Sequence, residues 1–240
     1  MTKRKVEKIA LILAIVLLIL LLTSFAIYKL SKARTFQLFG GLTPRINTTE
    51  KIVALTFDDA PNNQTKEVLD ILGTKDTKAT FYVVGTDLAA QPEIGKVITK
   101  YGHELGNHSY FHNTLIFKTP SSVEKEILET NKLIRHAGYT GNITFRPPYG
   151  KKLVILPWVL NQNGIKTVMW DIDPDKYYTG NPAKIVNYTV NNVKPGSIIL
   201  MHPFCYKRCQ ADRQALPIII DELKAKGYQF VTVSQLLEHN

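Results

Sequence analysis

Ile52-Val53-Ala54-Leu55-Thr56-Phe57-Asp58-Asp59 is the stretch on which the fold turns. Its first six residues are apolar except for one threonine, rich in β-branched and aromatic side chains, and too few for a helix, so they read as a buried strand. The run then stops at two adjacent carboxylates, which repel each other and lose solvation at a strand end unless something cationic offsets the cost. Some fifty residues on, Gly106-Asn107-His108-Ser109-Tyr110-Phe111-His112 supplies two imidazoles. One carboxylate and two imidazoles are three ligands for a zinc-like divalent ion, with positions open for water and substrate. That chemistry points to a hydrolase.

Outward from this strand the chain alternates β-rich runs with helical patterns. Expected helices cover residues 64–72, ended by Gly73, and 92–101, ended by Gly102. A third covers Val123 to His136, with Ser121 or Ser122 as its cap, and others cover residues 183–193, 215–226 and 234–239. Expected strands cover 79–84, 103–107, 144–145, 164–170, 197–201 and 230–231. Such alternation over about 190 residues argues for an α/β fold with a parallel sheet and helices outside. Asp58, Asp59, His108, Arg146, Asp173 or Asp175, and His202 all fall just after predicted strands. In a (β/α) barrel those strand ends share one mouth, so a closed barrel is favoured over an open sheet.

The N-terminus is different in kind. Residues 9–28 are twenty uncharged, mostly aliphatic residues, about 30 Å as a helix and so long enough to cross a bilayer. Lys3, Arg4, Lys5 and Lys8 precede them, which by the positive-inside rule makes residues 1–8 a cytoplasmic basic tail. The run is long for a signal peptide and Ser24-Phe25-Ala26 is a weak cleavage site, so it reads as a retained single-pass anchor. Residues 29–50, broken by Gly40-Gly41 and Pro44, read as a linker, and residues 51–240 as an extracytoplasmic domain. The net charge is +10, of which the first thirty residues hold +4 (five cations against Glu7) and the rest +6. A mildly basic surface outside a membrane suits an anionic wall or lipid. No nucleic-acid module is present, and nothing specifies an oligomeric state. Cys205 and Cys209, in an oxidising compartment, are favoured to form a local disulfide over free thiols.

Taken in order, Thr56-Phe57-Asp58-Asp59, His108-Ser109-Tyr110-Phe111-His112, Arg146-Pro147-Pro148-Tyr149 and Leu200-Met201-His202 resemble four of the five motifs of the polysaccharide deacetylase family, the NodB homology domain or carbohydrate esterase family 4. The resemblance covers roughly residues 50–237. It implies a distorted (β/α) barrel of seven to eight parallel strands, and metal-dependent removal of N-acetyl groups from amino sugars, with Asp59, His108 and His112 holding a divalent ion, commonly zinc. It further implies Asp58 as general base, Arg146 as its partner, and the Tyr149 N–H as a donor to the oxyanion. His202 resembles the general acid, and Leu200 would line the pocket for the acetyl methyl. Asp175 is the chosen partner of His202, with Asp173 the alternative. His103, His136 and His239 read as structural.

The chain departs from the family pattern at several points. Ala60 replaces a glycine, a strain if that position needs positive φ, and Asn113 and Pro203 replace the expected Pro and Asp. In Trp170-Asp171-Ile172-Asp173-Pro174-Asp175-Lys176-Tyr177, Lys176 or Tyr177 stands where the fourth motif places a pocket tryptophan. The expected substrate is cell-wall glycan, first of all peptidoglycan N-acetylglucosamine. The alternatives are another glycan, a lipid-linked amino sugar, or a weakly active glycan-binding paralogue.

Overall fold

The computed structural model describes residues 3–178, 180–205 and 209–239. Its hub is the quoted strand, β2 (Ile52–Ala60), buried along its whole length except at Asp59. β3 (Thr80–Val83) pairs with its second half, β6 (Ile198–Met201) runs along its other edge, and β7 (Gln229–Val231) pairs with Ile52–Ala54. β4 (Glu104–Asn107) lies outside β3, and every one of these pairs is parallel. Beyond β4, single parallel bridges join Asn107 to Phe145 and Phe145 to Thr167 of β5 (Thr167–Val168). A further bridge, Ile172 to Ile199, returns to β6. The circuit therefore closes as a distorted barrel, part of which hangs on bridges. The expected strand at 144–145 shrinks to one bridging residue, Phe145, because Pro147 and Pro148 follow and have no N–H to donate.

Alternation along β2 sorts its side chains. Val53, Leu55 and Phe57 face the helical layer, packing with Leu72, Leu216 and Ile220 of α2 (Thr65–Thr74) and α9 (Gln210–Ala225). Ile52 and Ala54 face the interior with Tyr82, Met169, Trp170 and Leu200. Thr56 and Asp58 continue that inner row toward the strand's C-terminal end, so the row turns polar at the mouth. The remaining outer helices are α4 (Pro92–Lys100), α5 (Pro120–His136), α8 (Pro182–Asn192) and α10 (Val233–Glu238).

Several boundaries differ from expectation for local reasons. α5 begins at Pro120 because proline is preset for the first helical position, and Thr119 caps it in place of Ser121 or Ser122, accepting from the Ser122 N–H. α9 begins at Gln210 and tolerates Pro217 inside it. Three short helices were not expected: α3 (Gly85–Ala90), α6 (Ile155–Gln162) and α7 (Asp175–Tyr178).

The apolar span lies inside α1 (Lys3–Ser31), which is longer than the 9–28 run and ends at a buried Ser31. Segment 29–50 is more than a linker. Its β1 (Leu42–Thr43) pairs in parallel with β5, Arg45 bridges to Ser197, and the Ile46 N–H donates to Gly196 O at 2.9 Å. The packed unit thus starts near residue 41 rather than 51. A Cβ on Gly196 (φ +79°) would sit 2.0 Å from Ile46 O, so only glycine admits this close pass. Nearer the helix, the Lys152 N–H donates to Ser31 O at 2.8 Å and the Lys152 ammonium donates to Ala33 O.

Candidate active site

Arg146 organises the mouth. Its side chain is fully buried on the barrel interior, where Nη1 donates to Asp58 Oδ1 (2.7 Å) and Thr56 Oγ1 (2.8 Å). Nη2 donates to Met169 O (3.1 Å) and Nε to Val168 O (3.4 Å), while the guanidinium lies 4.0 Å from the Tyr82 ring centroid. Burial alone would raise the Asp58 carboxyl; Arg146, with His108 and His202, outweighs it and holds Asp58 below the usual carboxylate range.

Whether these residues suit a metal depends on atoms rather than residue types. His108 Nδ1 lies 2.7 Å from Arg146 O. A carbonyl only accepts, so Nδ1 carries the proton and Nε2 presents a lone pair. That Nε2 is 3.8 Å from Asp59 Oδ1, and His112 Nε2 is 3.2 Å from the same oxygen. One ligand atom from each of the three residues fits within a 4.8 Å span. Ligands at about 2.0–2.1 Å from a tetrahedral zinc would lie roughly 3.3 Å apart, so little closure is needed. Asp59 Oδ1 is buried with no hydrogen-bond partner among the described residues, an orphaned acceptor that a cation would satisfy. Burial also pushes His108 below the usual imidazole range, toward the neutral ligand form. These residues fit a divalent ion.

Local backbone makes that meeting possible. Pairing of β2 with β3 slips between Asp58 and Ala60, leaving Asp59 as an extra residue at φ 66°. Asp58 therefore points inward and Asp59 toward the histidines. Ala60 has no positive φ, so the Gly-to-Ala departure carries none of the feared strain. Residues 109–112 are tied down from α5: Glu126 Oε2 accepts from the N–H groups of Tyr110 (3.0 Å) and Phe111 (3.1 Å). Asn107 Oδ1 accepts from Ser109 N–H (2.8 Å), and Ser109 Oγ accepts from His112 N–H (3.1 Å).

Nearby in the same cleft, His202 and Asp175 form a second unit. Asp175 Oδ2 accepts from the backbone N–H of His202 at 2.9 Å and lies 2.8 Å from its Nδ1. Burial would lower the His202 pKa, but the Asp175 hydrogen bond and the charges of Asp175, Asp58 and Asp59 raise it to about 10. Asp173 does not contact His202; it accepts from Trp170 Nε1 at 2.9 Å and lies 3.6 Å from Arg34 Nη2. Asp58, Asp59, His108, His112, Tyr149, Asp175, Leu200 and His202 line one cleft of about 790 Å³. Tyr149 is at φ 58°, its ring centroid is 4.8 Å from that of His112, and its N–H has no acceptor among the described residues.

Sequence reasoning overlooked part of this wall. Trp170 lines the cleft from the end of β5, so an indole is present although the fourth motif lacks its own, and Lys176 lines it while Tyr177 does not. Asp87, Asp212, Lys32 and Arg34 also face it. The position of Trp170 just past a strand was a usable signal for the first; nothing local in the sequence marks the rest. Cys205 and Cys209, both on the cleft, are disulfide-bonded.

The chain is similar to known proteins in both sequence and fold. A polysaccharide deacetylase family model matches residues 45–168. A peptidoglycan-N-acetylglucosamine deacetylase of Bacillus cereus is 36% identical over 203 residues, covering 83% of this chain and 94% of that protein. The peptidoglycan-N-acetylmuramic acid deacetylase PdaC of Bacillus subtilis is 36% identical over 80% of this chain and 40% of its own length. A crystal structure of the peptidoglycan N-acetylglucosamine deacetylase Bc1960 superposes with a TM-score of 0.76 at 33% identity, covering 82% of this chain and 93% of the other. The chain belongs to the polysaccharide deacetylase family, carbohydrate esterase family 4 of the NodB type.

Proposed function

We propose that this chain is a metal-dependent N-deacetylase of cell-wall glycan, acting on the N-acetylglucosamine of peptidoglycan, with zinc as the ion. The observation that carries this reading is the orphaned Asp59 Oδ1 facing His108 and His112, beside a carboxylate held by Arg146 and in one cleft with His202–Asp175. Asp59, His108 and His112 would hold the ion, which when bound lowers the pKa of a water and polarises a carbonyl.

Asp58, kept ionised and oriented by Arg146, takes the proton from a water as the water oxygen adds to the acetyl carbonyl. The free N–H of Tyr149 donates to the oxyanion that develops, in a loop stiffened by Pro147 and Pro148. His202, kept cationic by Asp175, gives its proton to the amide nitrogen as the C–N bond breaks. Acetate and a free amine leave. Leu200, on the cleft wall, would meet the acetyl methyl. We place residues 1–8 in the cytoplasm, 9–28 across the membrane as a retained anchor, and the packed domain outside.

Acetate release from peptidoglycan fragments and N-acetylglucosamine oligomers, by the full chain in detergent, tests the reading. Activity should vanish with chelator and return with zinc. Asp58→Asn should bind metal yet release no acetate. Undiminished turnover in that variant would refute the role given to the base.

A further inference from the structure

The apolar N-terminal helix leads directly into the active-site wall. Ser31, its last residue, is buried, and Lys152 fastens the next turn by accepting no freedom at either end: its N–H holds Ser31 O and its ammonium holds Ala33 O. Lys32 and Arg34 then line the same cleft as Asp58, His112 and His202. If residues 9–28 fill the hydrocarbon, Ser31 stands about 4.5 Å beyond it along the helix. Three more residues reach at most about 11 Å, so the cleft wall at Arg34 lies within roughly 15 Å of the hydrocarbon edge. The headgroup layer alone occupies about 5–7 Å of that. A site so placed is open to sugars held at the bilayer surface.

The charges of this wall point the same way. Arg34 lies 3.6 Å from Asp173, too far for a hydrogen bond, and stacks 5.2 Å from the Trp170 ring. Its guanidinium is ion-paired with Asp173 but makes no hydrogen bond among the described residues, so its N–H donors are free to meet a ligand. Lys32 hydrogen-bonds to Tyr28 Oη at 2.8 Å, and Lys176 lines the same cleft. Asp58, Asp59, Asp87, Asp173, Asp175 and Asp212 line the cleft too, and of these Asp173 pairs with Arg34. A neutral N-acetylglucosamine chain has no group that needs the cations Lys32, Arg34 and Lys176. A phosphate does, and guanidinium and ammonium groups are its usual partners.

We infer that the substrate of this site is an amino-sugar glycan still tethered to the membrane through a phosphate-bearing lipid, whose phosphate is met by Arg34 and Lys32. The inference rests on the deacetylase reading and narrows its substrate. Tethering enzyme and glycan to one surface raises their effective concentration, and the cations add recognition to proximity.

The test uses the full chain in phosphatidylcholine nanodiscs with three probes. These are a soluble N-acetylglucosamine oligomer, the same oligomer joined by a diphosphate to a polyprenyl chain in the disc, and the same oligomer on a neutral lipid linker. The diphosphate-linked probe should show a kcat/KM about tenfold or more above the soluble one, and several-fold above the neutral-linked one. Arg34→Gln and Lys32→Gln should each narrow the diphosphate-to-neutral ratio by about fivefold, a ratio that partial unfolding leaves untouched. Equal kcat/KM on soluble and diphosphate-linked probes overturns the inference. So does an equal advantage for both lipid linkers, or a ratio unmoved in the two variants. Acetate from the soluble oligomer alone overturns the inference and keeps the deacetylase reading; acetate from none of the three overturns both.

Discussion

Arg146 and Asp58 should behave as one buried ion pair, and a double-mutant cycle in chelator measures this without any metal. Arg146 is fully buried and Asp58 is 2% exposed, so neither charge has water to fall back on. Arg146→Met leaves a buried carboxylate without its cation, which costs about 3–5 kcal/mol. Loss of the contact with the Tyr82 ring adds about 1 kcal/mol. Asp58→Asn keeps an oxygen that can accept from Nη1 but removes the balancing charge, and should cost about 1–3 kcal/mol. The double variant has no buried charge in either position, so it should be more stable than the sum of the two by about 1.5–3 kcal/mol. Urea unfolding of the full chain in micelles, followed by near-ultraviolet circular dichroism, reports the domain while the apolar helix α1 stays folded. Additivity to within about 0.5 kcal/mol would refute the reasoning, because it would mean the two side chains do not share one desolvated pair.

Glu126→Ala removes the acceptor that ties down Tyr110 and Phe111, and should weaken zinc binding about 10–100-fold although Glu126 is no ligand, as read by competition with a chromogenic chelator. Asp175→Asn removes the main partner raising the His202 pKa. Because a general acid works below its pKa, the alkaline limb of the kcat/KM profile should move to lower pH in that variant; an unmoved limb would count against His202 as proton donor. Glu104 is buried, and desolvation raises its carboxyl from 4.5 to about 7. A raised carboxyl favours the folded state at low pH and loses that advantage as pH rises through 7, so Glu104→Gln should abolish a stability loss of about 3 kcal/mol between pH 4 and pH 8 in urea titrations.

Long-range architecture was readable because strand ends carry function in this kind of fold. Each of Asp58, Arg146 and His202 sits where a short apolar or β-branched run stops, His108 follows the short strand Glu104–Asn107, and a parallel sheet gathers such ends. What stayed hidden depends on pairing at a distance. Leu42–Thr43 has no strand pattern of its own and becomes β1 only because β5 offers an edge and Gly196 admits Ile46. Lys32 and Arg34 look like ordinary juxtamembrane cations until Lys152 draws that segment to the cleft. The choice between Asp173 and Asp175 could not be made from order along the chain. It follows from α7, which starts at Asp175 and turns that carboxylate onto His202, while Asp173 is taken by Trp170.

The backbone itself separates function from mere packing. Among the described residues six non-glycine residues have positive φ, and four of them, Asp59, Ser109, His112 and Tyr149, surround the proposed metal and oxyanion positions. Each such conformation costs an L-residue about 1–2 kcal/mol, so a stability-driven sequence would place glycine there. Glycine cannot supply a carboxylate or an imidazole, however. Regular strand alternation, for its part, would send Asp58 and Asp59 to opposite faces of the sheet. One residue in the left-handed region resolves the conflict: Asp58 stays on the inner row against Arg146 while Asp59 turns to the histidines. The same device at Ser109 and His112 lets two imidazoles four residues apart meet one oxygen without a helix between them. These turns are held open by Glu126, Asn107 and the Ser109 hydroxyl, polar groups that secure the loop rather than the core. Strain is concentrated where the chemistry needs adjacent residues to point in different directions.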